Sequence, residues 1–150
     1  MPNPEMISHF SLFRGLPASL LAEIAAISEE KFLHKGEFIF REGQEAHALH
    51  FLINGSVALR VRLTSRPESV TVSFVSFPHQ FFGWSGVVAP YHYTASAECD
   101  EDSSLVIIPA APFMKLLEKD PASGFKVMQR ITEIIADRLR NSRQALLKTL

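Results

Sequence analysis

The sequence predicts a mainly β domain flanked by helices, and three observations predict it. The apolar period changes from helical spacing to strict alternation after Lys35, and back to helical spacing after Pro109. Between those changes, short alternating runs are separated by Gly and Asn turns, the pattern of a β-sandwich or barrel. The final stretch then carries a long apolar seam. Residues 1–150 read as one domain, with an N-terminal helical segment over about 1–34, strands over 35–108 and C-terminal helices over 109–150.

Composition supports a single globular unit: 150 residues, 47% hydrophobic and 21% charged. A chain of this length folds without a covalent or metal staple. Cys99 is the only cysteine, which excludes an intramolecular disulfide, a cysteine-ligated iron–sulfur cluster and a multi-cysteine zinc site within one chain. A net charge of −1 does not describe a basic nucleic-acid module. No apolar run approaches the ~18 residues of a membrane span. The stretch from Met1 to Ser11 lacks the charged and apolar regions of a signal peptide. The expectation is a soluble cytoplasmic domain with no membrane partner.

Leu16-Pro17-Ala18-Ser19 opens the first helix, where Pro17 suits an early position because its missing N–H costs nothing there. Leu20, Leu21, Ile24 and Ile27 mark its apolar face, and Phe10, Leu12 and Phe13 form an apolar patch before it. Phe38 and Phe40 alternate with Glu37, Ile39 and Arg41 until Gly43 turns the chain. Leu49, Phe51 and Ile53 make the next strand, closed by Asn54-Gly55, a hairpin signal. Val57, Leu59, Val61 and Leu63 alternate strictly, and Thr64–Glu68 reads as a polar hairpin loop before a return strand through Val70, Val72 and Phe74. Two further strands are expected near Tyr93–Glu98 and Ser104–Ile108. Pro109-Ala110-Ala111-Pro112 opens a short helix bearing Phe113, Leu116 and Leu117. Asp120 then caps a helix that begins at Pro121 and runs to about Leu147.

That last helix carries Phe125, Met128, Ile131, Ile135, Leu139, Ser142 and Leu146 on one side, in steps close to a heptad seam from Met128 onward. Val127 and Ile134 form a second stripe. Two stripes predict two covered surfaces: the β domain and a second copy of the chain, giving a homodimer. A single wide core-facing stripe in a monomer is the alternative.

Five pieces of sequence in order carry a resemblance: Leu12-Phe13-Arg14-Gly15-Leu16-Pro17, Lys35 through Gly43, Leu49 through Val57, Phe82-Gly83, and Thr94-Ala95-Ser96. The chain resembles the cyclic-nucleotide-binding domain of catabolite-activator (Crp/Fnr-type) regulators over its whole length, without their DNA-binding domain. The resemblance implies a double-stranded β-helix, a cupin-like jelly-roll, followed by a long C-terminal dimerisation helix. It also implies a phosphate-binding cassette between Phe82-Gly83 and Thr94-Ala95. In the family, a Glu directly after the Phe-Gly pair holds the ribose hydroxyl. An Arg directly before the Thr/Ser-Ala pair neutralises the phosphate.

The sequence departs from the family at both places, with Trp84 in place of the Glu and Tyr93 in place of the Arg. Indole is a donor only and cannot accept from the ribose, and a phenol carries no positive charge at neutral pH. A hydrogen bond to a charged group contributes roughly 1.5–3 kcal/mol, so losing two weakens cyclic-nucleotide binding by ~10²–10⁴-fold or more. The candidate ligand-binding residues are Phe82, Gly83, Trp84, Ser85, Gly86, His92, Tyr93, Thr94 and Ala95. Backbone around Gly83, Ser85 and Gly86 can still cradle an anion, Ser85 and Thr94 keep hydroxyls, and His92 offers a pH-dependent charge. Trp84 and Tyr93 either line a pocket for a flat or apolar ligand or fill the old pocket and close it. Phe81 and Phe82 also read as core.

Other chemistries find little support. His47 and His50, with Glu45 nearby, are three residues apart and converge poorly on a strand, so no metal is expected. Cys99 lies beyond the cassette, so no haem or other cofactor is expected. Gly83-Trp84-Ser85-Gly86 has its glycines misplaced for a nucleophile elbow, so no enzyme activity is expected. Residues 121–150 hold six basic residues against two acidic ones. They read as a solvated face, and no direct DNA binding is expected because no winged helix-turn-helix follows. The resulting expectation is a stand-alone sensor domain with non-standard ligand recognition. A ligand-free structural or interaction module is the alternative, and cyclic-nucleotide binding through substitute contacts comes third.

Overall fold

The computed structural model describes residues 2–65 and 67–150. Two four-stranded antiparallel sheets form a β-roll between helical ends. α1 (Pro4–Ser8) is capped by Asn3, whose side chain accepts from the Met6 amide. A 3-10 turn, η1 (Ser11–Phe13), and α2 (Ala18–Ile27) follow. Pro17 is the N-cap residue of α2 and not its first helical residue.

The strands are β1 (Glu29–Leu33), β2 (Phe38–Phe40), β3 (Ala48–Asn54), β4 (Val57–Arg62), β5 (Ser69–Val75), β6 (Phe81–Phe82), β7 (Ser96–Cys99) and β8 (Ser103–Pro109). One sheet has the order β1-β8-β3-β6 and the other β2-β7-β4-β5. A second 3-10 turn, η2 (Trp84–Gly86), follows β6, and α3 (Ala110–Lys119) and α4 (Pro121–Lys148) end the chain.

β3 shows why this sequence makes two cores. Leu49 and Phe51 point to the outer face of their sheet, where they meet Phe10, Phe13 and Phe113. Leu52 points between the sheets and joins Phe40, Val57, Leu59, Phe82 and Leu105. A strand buried on both faces reads as a nearly continuous apolar run. Val127 and Ile131 of α4 complete the outer core. Arg130 ties α4 down by donating to the Leu12 and Arg14 carbonyls.

The structure revises four sequence expectations. β1 lies inside the stretch expected to be helical, because it is an edge strand with Glu29, Glu30 and Lys31 exposed and no apolar alternation to announce it. Charged edges of this kind discourage pairing with other chains. Asn54-Gly55 does not close a hairpin: β3 and β4 belong to different sheets, and the turn carries the chain from one to the other. Gly55 is required there, since it has φ +107° and a Cβ would lie 2.3 Å from Ser103 Oγ. The strand expected from Tyr93 starts only at Ser96. The basic residues of α4 are not all solvated, as Arg130 already shows. The expected β4–β5 hairpin is present, and Arg66, which falls in the stretch Thr64–Glu68 expected as its loop, lies outside the described residues, as does Met1.

The proposed seam divides. Ile131 is 1% exposed in the protomer's own core, with Met128 and Ile135 half-buried against it, whereas Leu139, Ser142 and Leu146 are exposed. A heptad spacing and a core-facing stripe share most positions over four turns, so spacing alone did not separate them. No helix among the described residues is long and apolar enough to cross a membrane.

Candidate functional site

The site begins at Phe82, which pairs with His50 across β6 and β3 and is fully buried. Gly83 then adopts φ +73°, and a Cβ there would lie 2.5 Å from His50 Nδ1. The Phe-Gly pair is therefore a packing requirement: an aromatic plug, then a left-handed residue passing over an imidazole. That turn releases the chain into η2, where Ser85 is buried and Trp84 half-buried.

Across from η2, Tyr93 lies flat on Phe40, with ring centroids 3.8 Å apart and planes within 8°. Its hydroxyl donates to the Ala48 carbonyl at 3.4 Å. Burial pushes its pKa up to about 12, so it remains a neutral phenol. Thr94 is exposed and Ala95 half-buried as the chain runs toward β7.

A cavity of about 310 Å³ opens between this turn and α4, within the usual size range of small-molecule sites. Gly83, Trp84, Ser85, Tyr93, Thr94 and Ala95 all border it. Phe40, Leu59, Val61 and Val72 form its apolar wall, and Ile135, Arg138, Leu139 and Ser142 of α4 line the other side of this open cleft. Three of the expected residues do not join this cavity. Phe82 belongs to the core. Gly86 and His92 border a separate open groove with Glu45, His47 and Tyr91. His92 is exposed, with its Nδ1 2.9 Å from the Pro90 carbonyl.

Arg138 is the residue that the sequence reading passed over. Its guanidinium carbon lies 5.1 Å from the centroid of the Trp84 ring, within cation–π reach. Its signal is the helical phase: Ile131, Ile135, Arg138 and Ser142 fall in steps of four, three and four on one face, so a basic residue is inserted in an inward stripe. His47 pairs with Glu45 at 3.2 Å on the surface. Among the described residues no three His, Cys, Asp or Glu side chains gather closely enough to hold a metal ion.

Residues 30–120 match the cyclic nucleotide-binding domain family. The crystal structure of a protein from Geobacter metallireducens GS-15, assigned as a cyclic nucleotide-binding protein, is 33% identical, with a TM-score of 0.80 over 93% of this chain and 99% of that one. The catabolite activator protein of Thermus thermophilus shares the fold at 23% identity, with a TM-score of 0.73 over 90% of this chain and 61% of that one. A protein from Rhodopseudomonas palustris assigned as a potassium channel is 23% identical over 85% of this chain. The chain spans only 30% and 20% of the lengths of the curated relatives it matches. Family match and roll topology agree, and the chain belongs to the cyclic nucleotide-binding domain family.

Proposed function

We propose that this chain is a regulatory sensor domain whose ligand sits between the cassette turn and α4, recognised through Trp84 and Tyr93 in place of the family's Glu and Arg. The observation that carries this reading is the cavity itself. It is bordered by six of the expected residues on the roll and by α4 opposite them, so an occupant touches both the roll and the helix. Binding that favours one placement of α4 over another shifts the population of that placement, which is how such a domain passes a signal.

Cyclic AMP and cyclic GMP are expected to bind weakly. Trp84 offers the ribose no acceptor, and Tyr93 is already engaged with Phe40 and the Ala48 carbonyl. A second copy of the chain is the expected partner of the exposed end of α4, through Leu139, Ser142 and Leu146.

Thermal denaturation across a metabolite panel that includes both cyclic nucleotides tests the reading. A rise in melting temperature for at least one compound, abolished in Trp84→Leu, is the expected result. Low-micromolar cyclic AMP binding that survives in Trp84→Leu would refute the substitute-recognition reading.

The burial of Tyr93 favours a second reading, a structural module without a ligand. It stacks as a core residue does, and in that case no compound moves the melting temperature.

A further inference from the structure

The cavity wall is apolar around Phe40, Leu59, Val61 and Ile135, and one cationic side chain borders it, Arg138 of α4. Three other arginines have polar partners, while the exposed Arg41 packs on the Phe38 ring. Arg130 donates to two carbonyls, Arg140 pairs with Asp137, and Arg60 bonds to Ser69 and Thr71. Among the described residues Arg138 has no carboxylate within salt-bridge range and no hydrogen-bond acceptor. Its neighbour is the face of Trp84.

Burial lowers its pKa from the ordinary value, yet a guanidinium still carries its proton at neutral pH. The half-buried guanidinium is matched by a ring face and by water alone, and an anion placed beside it replaces that water with a charge partner. The family places its cation on the cassette. Here Tyr93 has removed it there, and a cation returns from the opposite wall of the same cavity.

The geometry points to Arg138 as the anion-recognising group of this cavity, and to a planar, largely apolar organic carboxylate as the ligand class. This rests on the ligand-binding reading proposed above. A single cation in a mostly apolar site balances one negative charge, which favours a monoanion over a phosphate monoester. A carboxylate fits the guanidinium fork in a bidentate contact. A flat ring matches Trp84, and the aliphatic wall from Leu59, Val61 and Ile135 accepts its other face. Cyclic AMP is also a monoanion, but its ribose hydroxyl lacks the glutamate acceptor that the family supplies.

Calorimetric titration of the whole chain with 2-naphthoate and with its neutral isostere naphthalene-2-carboxamide tests the inference. Fluorescence of Trp84, the single tryptophan, reports occupancy. The acid is expected to bind at least about tenfold tighter than the amide. Arg138→Gln is expected to reduce the acid to the level of the amide, and Arg138→Lys, which keeps the charge without the fork, to retain part of the preference. Equal binding of the two compounds to the unmodified chain, or a preference that survives Arg138→Gln, overturns the role of Arg138 and leaves the ligand-binding reading standing. If neither compound binds, this inference falls, and if in addition no other compound shifts the melting temperature, the ligand-binding reading falls with it.

Discussion

The imidazole of His50 lies between the sheets, 4% exposed, with Phe40, Phe82 and Tyr93 around it and no hydrogen-bond partner for Nδ1 among the described residues. Burial, assisted by the positive charge of Lys31, lowers its pKa from 6.5 to about 3. The folded state therefore resists the proton that the unfolded chain accepts. The contribution to stability is fully present above pH 6.5 and is lost as the pH falls toward 3. By pH 5 the expected loss is about 2 kcal/mol. Urea unfolding of the unmodified chain and of His50→Phe at pH 7 and pH 5 measures it. The unmodified chain should lose about that much more than the variant, and parallel losses would remove His50 from the account. Sequence reading weighed His50 as a metal ligand and missed its burial, because alternation along β3 says which residues share a face but not which face is covered twice. Trp84 and Tyr93 were legible for the opposite reason: each breaks a short motif at a fixed position. Arg138 breaks no motif, and its one signal in the sequence is its helical phase with Ile131, Ile135 and Ser142.

At the scale of elements, α4 shows what spacing can and cannot separate. Its start was readable from Asp120-Pro121, and the Asp120 carboxylate does accept from the Ser123 amide and hydroxyl. Its length was readable from the unbroken apolar seam. The division of that seam between core and solvent was not, because it depends on where the roll ends beneath the helix. Arg130 sets that placement by joining the middle of α4 to η1 and the residue after it, through two carbonyls more than a hundred residues away in sequence. Arg130→Ala is expected to cost about 1–3 kcal/mol, since it leaves two backbone acceptors without their charged donor. Hydrogen exchange should accelerate around residues 11–16 before it does so in the sheets. Faster exchange in the sheets alone would show that the arginine does not anchor the helix. β1 and the turn at Gly55 are the complementary cases. The charged stretch of β1 carries no periodic signal, and a two-residue turn looks the same in sequence whether it folds a hairpin or passes between sheets.

For the whole molecule, the roll and the terminal helix form a linked pair of surfaces. α4 has 28 residues, about 42 Å at 1.5 Å per residue, and every residue from Asn141 onward is exposed. Leu139 is 52% exposed, Leu146 62% and Leu147 65%. Leu146 lies two turns beyond Leu139 on the same stripe, the spacing that lets a helix pack against its own copy across a two-fold axis. Leu139 also borders the cavity. If a second copy covers that stripe, the helix wall of the cavity is held by the partner as well as by the roll, and dimerisation and ligand binding favour each other reciprocally. Leu146 stands clear of the cavity lining, so Leu146→Glu separates the two effects. The unmodified chain is expected to sediment as a dimer, with a melting temperature that rises with protein concentration, and Leu146→Glu as a monomer whose melting temperature does not. The monomer should also bind any ligand found by the metabolite panel more weakly, although no residue touching that ligand has changed. An unmodified chain that sediments as a monomer would leave α4 as a one-sided lid on the cavity. Dimerisation lost without a change in ligand affinity would show that the two surfaces of the helix act independently.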